Sequence, residues 1–217
     1  MAKKELERRS YSFEVRAEET DNGEKIITGR PIVYGIRTNI GPFDEVIEPG
    51  ALDNTDLTDV RFLVNHNTDM IPLARSRRNN GNSTMKMTPD YQGLNLDFVK
   101  LDVENNTTSR ALYSAVNRGD LTGMSFMFSV DDEEWENLES DHPTRHIRAI
   151  SSVVEVSAVT FPAYDATEIN ARNKEALENA KATLENVRNK RGQSVDTDNN
   201  ILELLKLKTQ TLNLGGK

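Results

Sequence analysis

Three polar side chains in this chain stand where burial would make them costly, and together their types describe a proton relay ending on a nucleophile. In Gly123-Met-Ser-Phe-Met-Phe128 the two-residue alternation of a strand sends Met124, Phe126 and Phe128 to one face and Ser125, Met127 and Ser129 to the other. Ser125 thus faces away from the aromatic stripe, and Gly123, two residues earlier, allows close backbone approach by a substrate chain. A serine hydroxyl is a poor nucleophile at neutral pH and needs a neighbouring base to take its proton; without one, a strand serine is simply structural. His66 follows the apolar run Phe62-Leu-Val64 and suits the role of base, since an unperturbed imidazole titrates at roughly pH 6.5. Its alternative reading is a histidine capping a strand end. Glu155 lies in Val153-Val-Glu-Val-Ser-Ala-Val159, which is largely apolar on both parities, so a carboxylate there must be paired or neutralised. Paired with an imidazole it would fix the ring's tautomer and stabilise its cation, as the acid of a serine–histidine–acid triad does. Paired with Arg145 or Arg148 it would be a structural salt bridge, and both pairings are open at this level.

The elements that must position these residues are mostly strands. Tyr11, Phe13 and Val15 alternate, and Lys25–Tyr34 continues the pattern, with Pro31 marking an edge or a bulge. A short helical turn is expected after Asp44–Leu52, before the apolar run Val60–Val64, which ends at Asn65-His66-Asn67 and so puts His66 at a strand end. Residues 83–103 read as a hairpin broken near Pro89-Asp90, and Thr107–Arg118 as an amphipathic helix stopped by Gly119. Met124–Val130 is a strand, the acidic stretch Asp131–Asp141 a solvated turn, and Arg145–Ile150 and Ser152–Phe161 further strands. The fold class is mainly β with peripheral helices (α+β): seven or eight strands around one or two helices suggest a small barrel.

Beyond about residue 165 the pattern changes. All thirteen aromatic residues and all seven prolines lie at or before Tyr164, and the last fifty-three residues have none. Residues 1–165 carry 18 Lys and Arg against 28 Asp and Glu, whereas 166–217 carry 9 against 7. The expected organisation is a flexible N-terminus (1–9), one domain (10–165), an amphipathic helix (166–191), an exposed linker (192–200) and a helical tail (201–217). In the helix Leu177, Ala180, Leu184 and Val187 keep a heptad-like register, and Ile201–Leu207 is apolar enough to dock on a partner. The alternative is an ordinary helix packing on its own domain.

Composition narrows the chemistry. An acidic domain repels phosphate backbones, which argues against nucleic acid as substrate. The absence of cysteine from the 217 residues rules out disulfides, thiolate catalysis and cysteine-type metal sites, and fits a reducing cytoplasm. Neither a secretory leader nor a run of about 18 apolar residues is found, so a soluble, cytosolic protein without membrane contact is expected. His142 and His146 are four apart near Asp141, a spacing that suits two metal ligands on a helix, but Pro143 and strand-like neighbours argue against a helix.

Several segments resemble one family, the prohead maturation proteases of tailed phages, whose fold is similar to that of the herpesvirus assemblins. They are Tyr34-Gly35, Phe43–Leu52, Phe62-Leu-Val-Asn-His-Asn67 with Pro72-Leu-Ala-Arg75, Gly123–Phe128 and Glu155-Val-Ser-Ala-Val-Thr-Phe-Pro-Ala163. Their order and spacing over about residues 10–165 carry the likeness. The resemblance implies a serine endopeptidase on a small assemblin-like barrel, with catalytic His66, Ser125 and, as third member, Glu155, where assemblins use a second histidine. It further implies, by analogy with assemblins, oxyanion donors among the backbone amides near Ala163 and Tyr164. Asn67 stands where an Asp is common and Ala74 where Gly is usual, which touches local loop geometry and no triad atom. No cofactor is implied. The implied setting is the host cytoplasm, packaged within the procapsid. The partners would be the major capsid protein with its scaffolding segment and the chain itself as substrate, with a homodimer possible. Self-cleavage is expected between about residues 185 and 200, where an extended substrate can form. The competing function is a non-enzymatic scaffold or capsid-assembly factor that keeps the fold and works through its tail.

Overall fold

A computed structural model describes residues 6–11, 15–77, 82–160 and 173–188. The chain divides into two units, residues 1–173 and 174–217. In the first unit the strands fall into two sheets. The larger is organised on a long antiparallel hairpin, β10 (Gly123–Glu136) and β11 (Thr144–Val159). Outside β10 lies β1 (Glu7–Tyr11), antiparallel to it. The other edge of β11 is shared in two stretches. Its first half pairs in parallel with β5 (Asp44–Ile47), which carries the short β4 (Thr38–Asn39). Its second half pairs in parallel with β6 (Arg61–Val64), which carries β7 (Ala74–Arg75). The second sheet has the order β2-β3-β9-β8, from β2 (Val15–Glu19), β3 (Lys25–Val33), β8 (Met85–Asp90) and β9 (Gly93–Leu101).

Alternation explains the packing. Met124, Phe126 and Phe128 of β10 are fully buried, and they share one apolar cluster with Phe62 of β6, Val156 of β11 and Ile27, Ile32, Leu94 and Leu96 of the smaller sheet. Helix α1 (Thr107–Asn117) closes on the same core through Leu112 and Val116. The Asn106 side chain accepts from the amides of Thr108 and Ser109 at its start, and Gly119 at φ 76° follows its end, so the stop falls where the sequence suggests. Pro31, without an amide hydrogen, sits where the β3–β9 register shifts between Gly29 and Ile32.

Four expectations are corrected. The described strands make two separately hydrogen-bonded sheets and no closed barrel, because β11 divides its free edge between β5 and β6 and the sheets meet through side chains. The N-terminal segment expected to be flexible contributes β1 from Glu7 onward, since Arg9 is buried against Glu45, with nitrogen–oxygen distances of 2.5 and 2.6 Å. Tyr11 and Val15 do not share a strand: β1 and β2 belong to different sheets. The acidic stretch from Asp131 stays in β10 as far as Glu136 rather than forming a turn. Arginines across the hairpin offset its charge, Glu133 taking Arg145 and Glu134 taking Arg148, while Glu136 lies 3.3 Å from His146.

The second unit is described over residues 174–188, which are helical. Leu177 is buried, Ala180 and Leu184 are half-buried and Val187 is exposed. The remainder of the expected 166–191 helix, the 192–200 linker and the 201–217 tail lie outside the described residues. No described helix is long and apolar enough to cross a membrane.

Candidate active site

Adjacent strands assemble the site. Across the β10–β11 hairpin Ser125 lies opposite Ser157 and Met127 opposite Glu155, while β6 flanks β11 on its other side with Val64 beside Ala158. Directly opposed residues of an antiparallel pair share a face, so Ser125, Ser157 and Glu155 emerge together. The chain leaves β6 through two consecutive non-glycine residues in the left-handed region, Asn65 at φ 51° and His66 at φ 55°. Such residues cost about 1–2 kcal/mol each unless local hydrogen bonds compensate, and Asn tolerates the conformation best. Here Asn65 donates its amide to Ala158 O at 2.9 Å, while its side chain accepts from the Thr160 amide at 2.9 Å and donates to Thr160 Oγ1 at 3.2 Å. Asn67, where the resembling family commonly has Asp, accepts from the Asp69 amide at 3.1 Å and so closes the turn.

This turn folds the His66 ring onto its neighbours. Nδ1 lies 2.6 Å from Glu155 Oε2 and Nε2 lies 2.5 Å from Ser125 Oγ. A carboxylate only accepts, so Nδ1 carries the hydrogen and donates, which leaves the Nε2 lone pair to accept from the serine hydroxyl. Ser125 is fully buried, and the His66 and Glu155 side chains are 1 % and 5 % exposed. Glu155 does not meet the arginines considered for it. Arg145 binds Glu7, Glu45 and Glu133, and Arg148 binds Glu134. Its second oxygen instead accepts from the Ser157 hydroxyl.

Strand β1 completes the surroundings of Ser125. Ser10, opposite Ser125, donates its hydroxyl to Ser125 Oγ at 2.8 Å, and the Arg9 carbonyl is 2.7 Å from the same oxygen. The one hydroxyl hydrogen of Ser125 therefore has two acceptors in reach, Arg9 O and His66 Nε2, and occupies one at a time. Sequence reasoning missed Ser10, Arg9 and Ser157. Ser157 was within reach of it, because it stands two positions after Glu155 on one strand and must share its face. The β1 residues were not, because only tertiary pairing brings them beside residue 125.

The remaining sequence candidates separate from this cluster. His142 precedes β11 and lies 2.9 Å from Asp44, and His146, on β11, lies 2.6 Å from Glu48 Oε1; each imidazole has a different carboxylate and they share no helix. Among the described residues no group of three or more His, Cys, Asp or Glu is placed to hold a metal ion. Ala163 and Tyr164 lie outside the described residues.

A buried hydroxyl–imidazole–carboxylate chain on adjoining strands is the arrangement of the serine hydrolases. The family model described as caudovirus prohead serine protease matches residues 11–182, and the chain belongs to that family. No curated protein and no solved structure matches it.

Proposed function

We propose that this protein is the capsid-maturation endopeptidase of a tailed phage, with Ser125 as nucleophile, His66 as general base and Glu155 as the acid that holds His66. The observation that carries the reading is the unbroken contact from Ser125 Oγ through the His66 ring to Glu155, 2.5 and 2.6 Å long and shielded from water. His66 Nε2 takes the hydroxyl proton as Oγ bonds to a peptide carbonyl carbon, and the negative charge passes to the carbonyl oxygen. The imidazolium then protonates the amine as the C–N bond breaks, leaving an acyl-serine that water hydrolyses by the same proton route. Glu155 keeps the hydrogen on Nδ1 and offsets the charge that appears on the ring. The backbone amides near Ala163 and Tyr164 are the oxyanion donors in this reading. The substrates are the scaffolding segments of the major capsid protein and the chain itself, met inside the procapsid; the acidic domain disfavours nucleic acid as a competitor for the site.

The deciding experiment is the intact mass of the chain and of Ser125→Ala, each co-expressed with the capsid protein. The wild type shortens itself between about residues 185 and 200, while Ser125→Ala keeps full length and leaves the capsid protein uncut. Equal masses for both chains and an uncut capsid protein with both would favour the non-enzymatic scaffold instead.

A further inference from the structure

We propose that Ser157 is a positioning residue of this site: one buried hydroxyl fixes both the acid and the backbone of the base. The inference rests on the catalytic reading above. Ser157 is fully buried on β11 between Val156 and Ala158, which are buried as well. An apolar side chain would satisfy such a position without the desolvation cost of a hydroxyl, so the bonds the hydroxyl makes are the reason to look for a role. It makes two, and both go to triad members. Its hydrogen is donated to Glu155 Oε1, and its oxygen accepts the backbone amide of His66 at 3.0 Å.

The two bonds act on different freedoms. Glu155 Oε2 is engaged by His66 Nδ1, so the hydroxyl on Oε1 gives each carboxylate oxygen its own donor. The carboxylate cannot then rotate about its terminal bond without losing one of them, and Oε2 stays aimed at Nδ1. The amide bond holds His66 in the left-handed backbone conformation that folds its ring toward Ser125. Because Ser157 is also the cross-strand partner of Ser125 and lies beside Leu63 of β6, nucleophile, acid and base loop are all referenced to one residue of the central strand. Productive proton transfer needs hydrogen-bond distances held within tenths of an ångström, so loosening this reference lowers turnover and leaves substrate binding alone.

The test uses the full chain and a fluorogenic peptide spanning the self-cleavage junction found by intact mass, with rates normalised to sites titrated by a fluorophosphonate. Ser157→Ala lowers kcat by about 10- to 100-fold while KM stays within about twofold. In a Glu155→Gln background the same substitution costs clearly less than in the wild type, because the part of its effect that runs through the acid is already lost and only the part that runs through the His66 backbone remains. Ser157→Cys keeps the volume but donates weakly, and it falls between wild type and Ser157→Ala; it also serves if the alanine variant does not fold. A kcat per titrated site equal to wild type in either variant overturns the inference, and so does an equal loss in the two backgrounds, which marks a structural role. If wild type and Ser125→Ala are equally inert toward the peptide, the protease reading itself fails, an outcome distinct from an active wild type that is indifferent to Ser157.

Discussion

Glu155 is the residue on which the chemistry of the site can be separated from its architecture, because Gln keeps its shape and removes its charge. Glu155→Gln should fold with a melting temperature near that of the wild type and lose turnover by about three to four orders of magnitude, since an amide cannot stabilise the imidazolium or enforce the Nδ1 hydrogen. His142→Ala and His146→Ala should stay within a few-fold of wild type, because their rings pair with Asp44 and Glu48 and not with the triad. Normal cleavage by Glu155→Gln together with a dead histidine variant would move the third role to that histidine, as in assemblins. The three residues stood out in the sequence because each is polar and adjoins an apolar run, so burial forces it to have a partner; that the partners are one another was left open there, and the shared role rested on the family resemblance. Ser10 and Arg9 carried no such signal: residues 1–9 read as charged and flexible, and only the pairing of β1 with β10 brings them beside Ser125.

At the level of elements, legibility followed how local the determining forces are. Helix α1 was readable to within a residue because its apolar spacing and the stop at Gly119 act through residues close by in the chain. The β8–β9 hairpin was readable for the same reason, its turn set by Asp90, whose carboxylate accepts from the amides of Gln92 and Gly93 at 2.8 and 3.1 Å. The division into two sheets was not, since alternation tells which face a residue takes and not which strand lies beside it. The extension of β10 through an acidic run was likewise hidden, because it depends on basic residues across the hairpin. Gly93 shows a contact that neither alternation nor turn chemistry announces. It adopts φ 141°, and a Cβ there would sit 2.1 Å from the Ile32 carbonyl oxygen of β3. Gly93→Ala must therefore separate β9 from β3 as well as strain its own backbone, and should destabilise the fold by more than about 2 kcal/mol. A urea midpoint indistinguishable from wild type would show that the β3–β9 approach has slack. Since the site lies on the other sheet, residual folded Gly93→Ala should cleave at a normal rate well below its melting temperature.

For the molecule as a whole, the same strands that build the site are tied by a buried charge network whose response to acid can be worked out. Glu7 of β1, Arg9 of β1, Glu45 of β5, Arg145 of β11 and Glu133 of β10 are joined by hydrogen bonds, with Arg9 and Arg145 each 3 % exposed. Burial lowers the proton affinity of each guanidinium, but the carboxylates around them outweigh it and hold Arg9 and Arg145 above the ordinary arginine range. Burial pushes Glu7 up, yet hydrogen bonding to Arg145 and the charges of Arg9 and Arg145 bring it below its usual value. On the smaller sheet the paired guanidinium of Arg30 lowers Asp90 to about 2, opposed only by slight burial. A carboxylate whose folded value is depressed adds stability that is complete above its unfolded value and lost as pH falls through the folded one. For these groups the ordinary values are 4.5 and 3.8, so the loss begins near the first and continues below about 2. Net charge works the other way at first: the chain carries −8 at neutral pH with a pI near 5.0, so acidification to that point relieves self-repulsion. The melting temperature should hold or rise slightly from pH 7 to 5 and then fall steeply below about 4.5. Glu7→Gln combined with Asp90→Asn removes the two depressed carboxylates, so this double variant should begin less stable at pH 7 and lose less between pH 5 and 2. Thermal melts of both proteins across that range decide the matter. Parallel curves would mean that the acid sensitivity resides in other carboxylates and that the tie between β1 and β10 does not depend on the charge of Glu7.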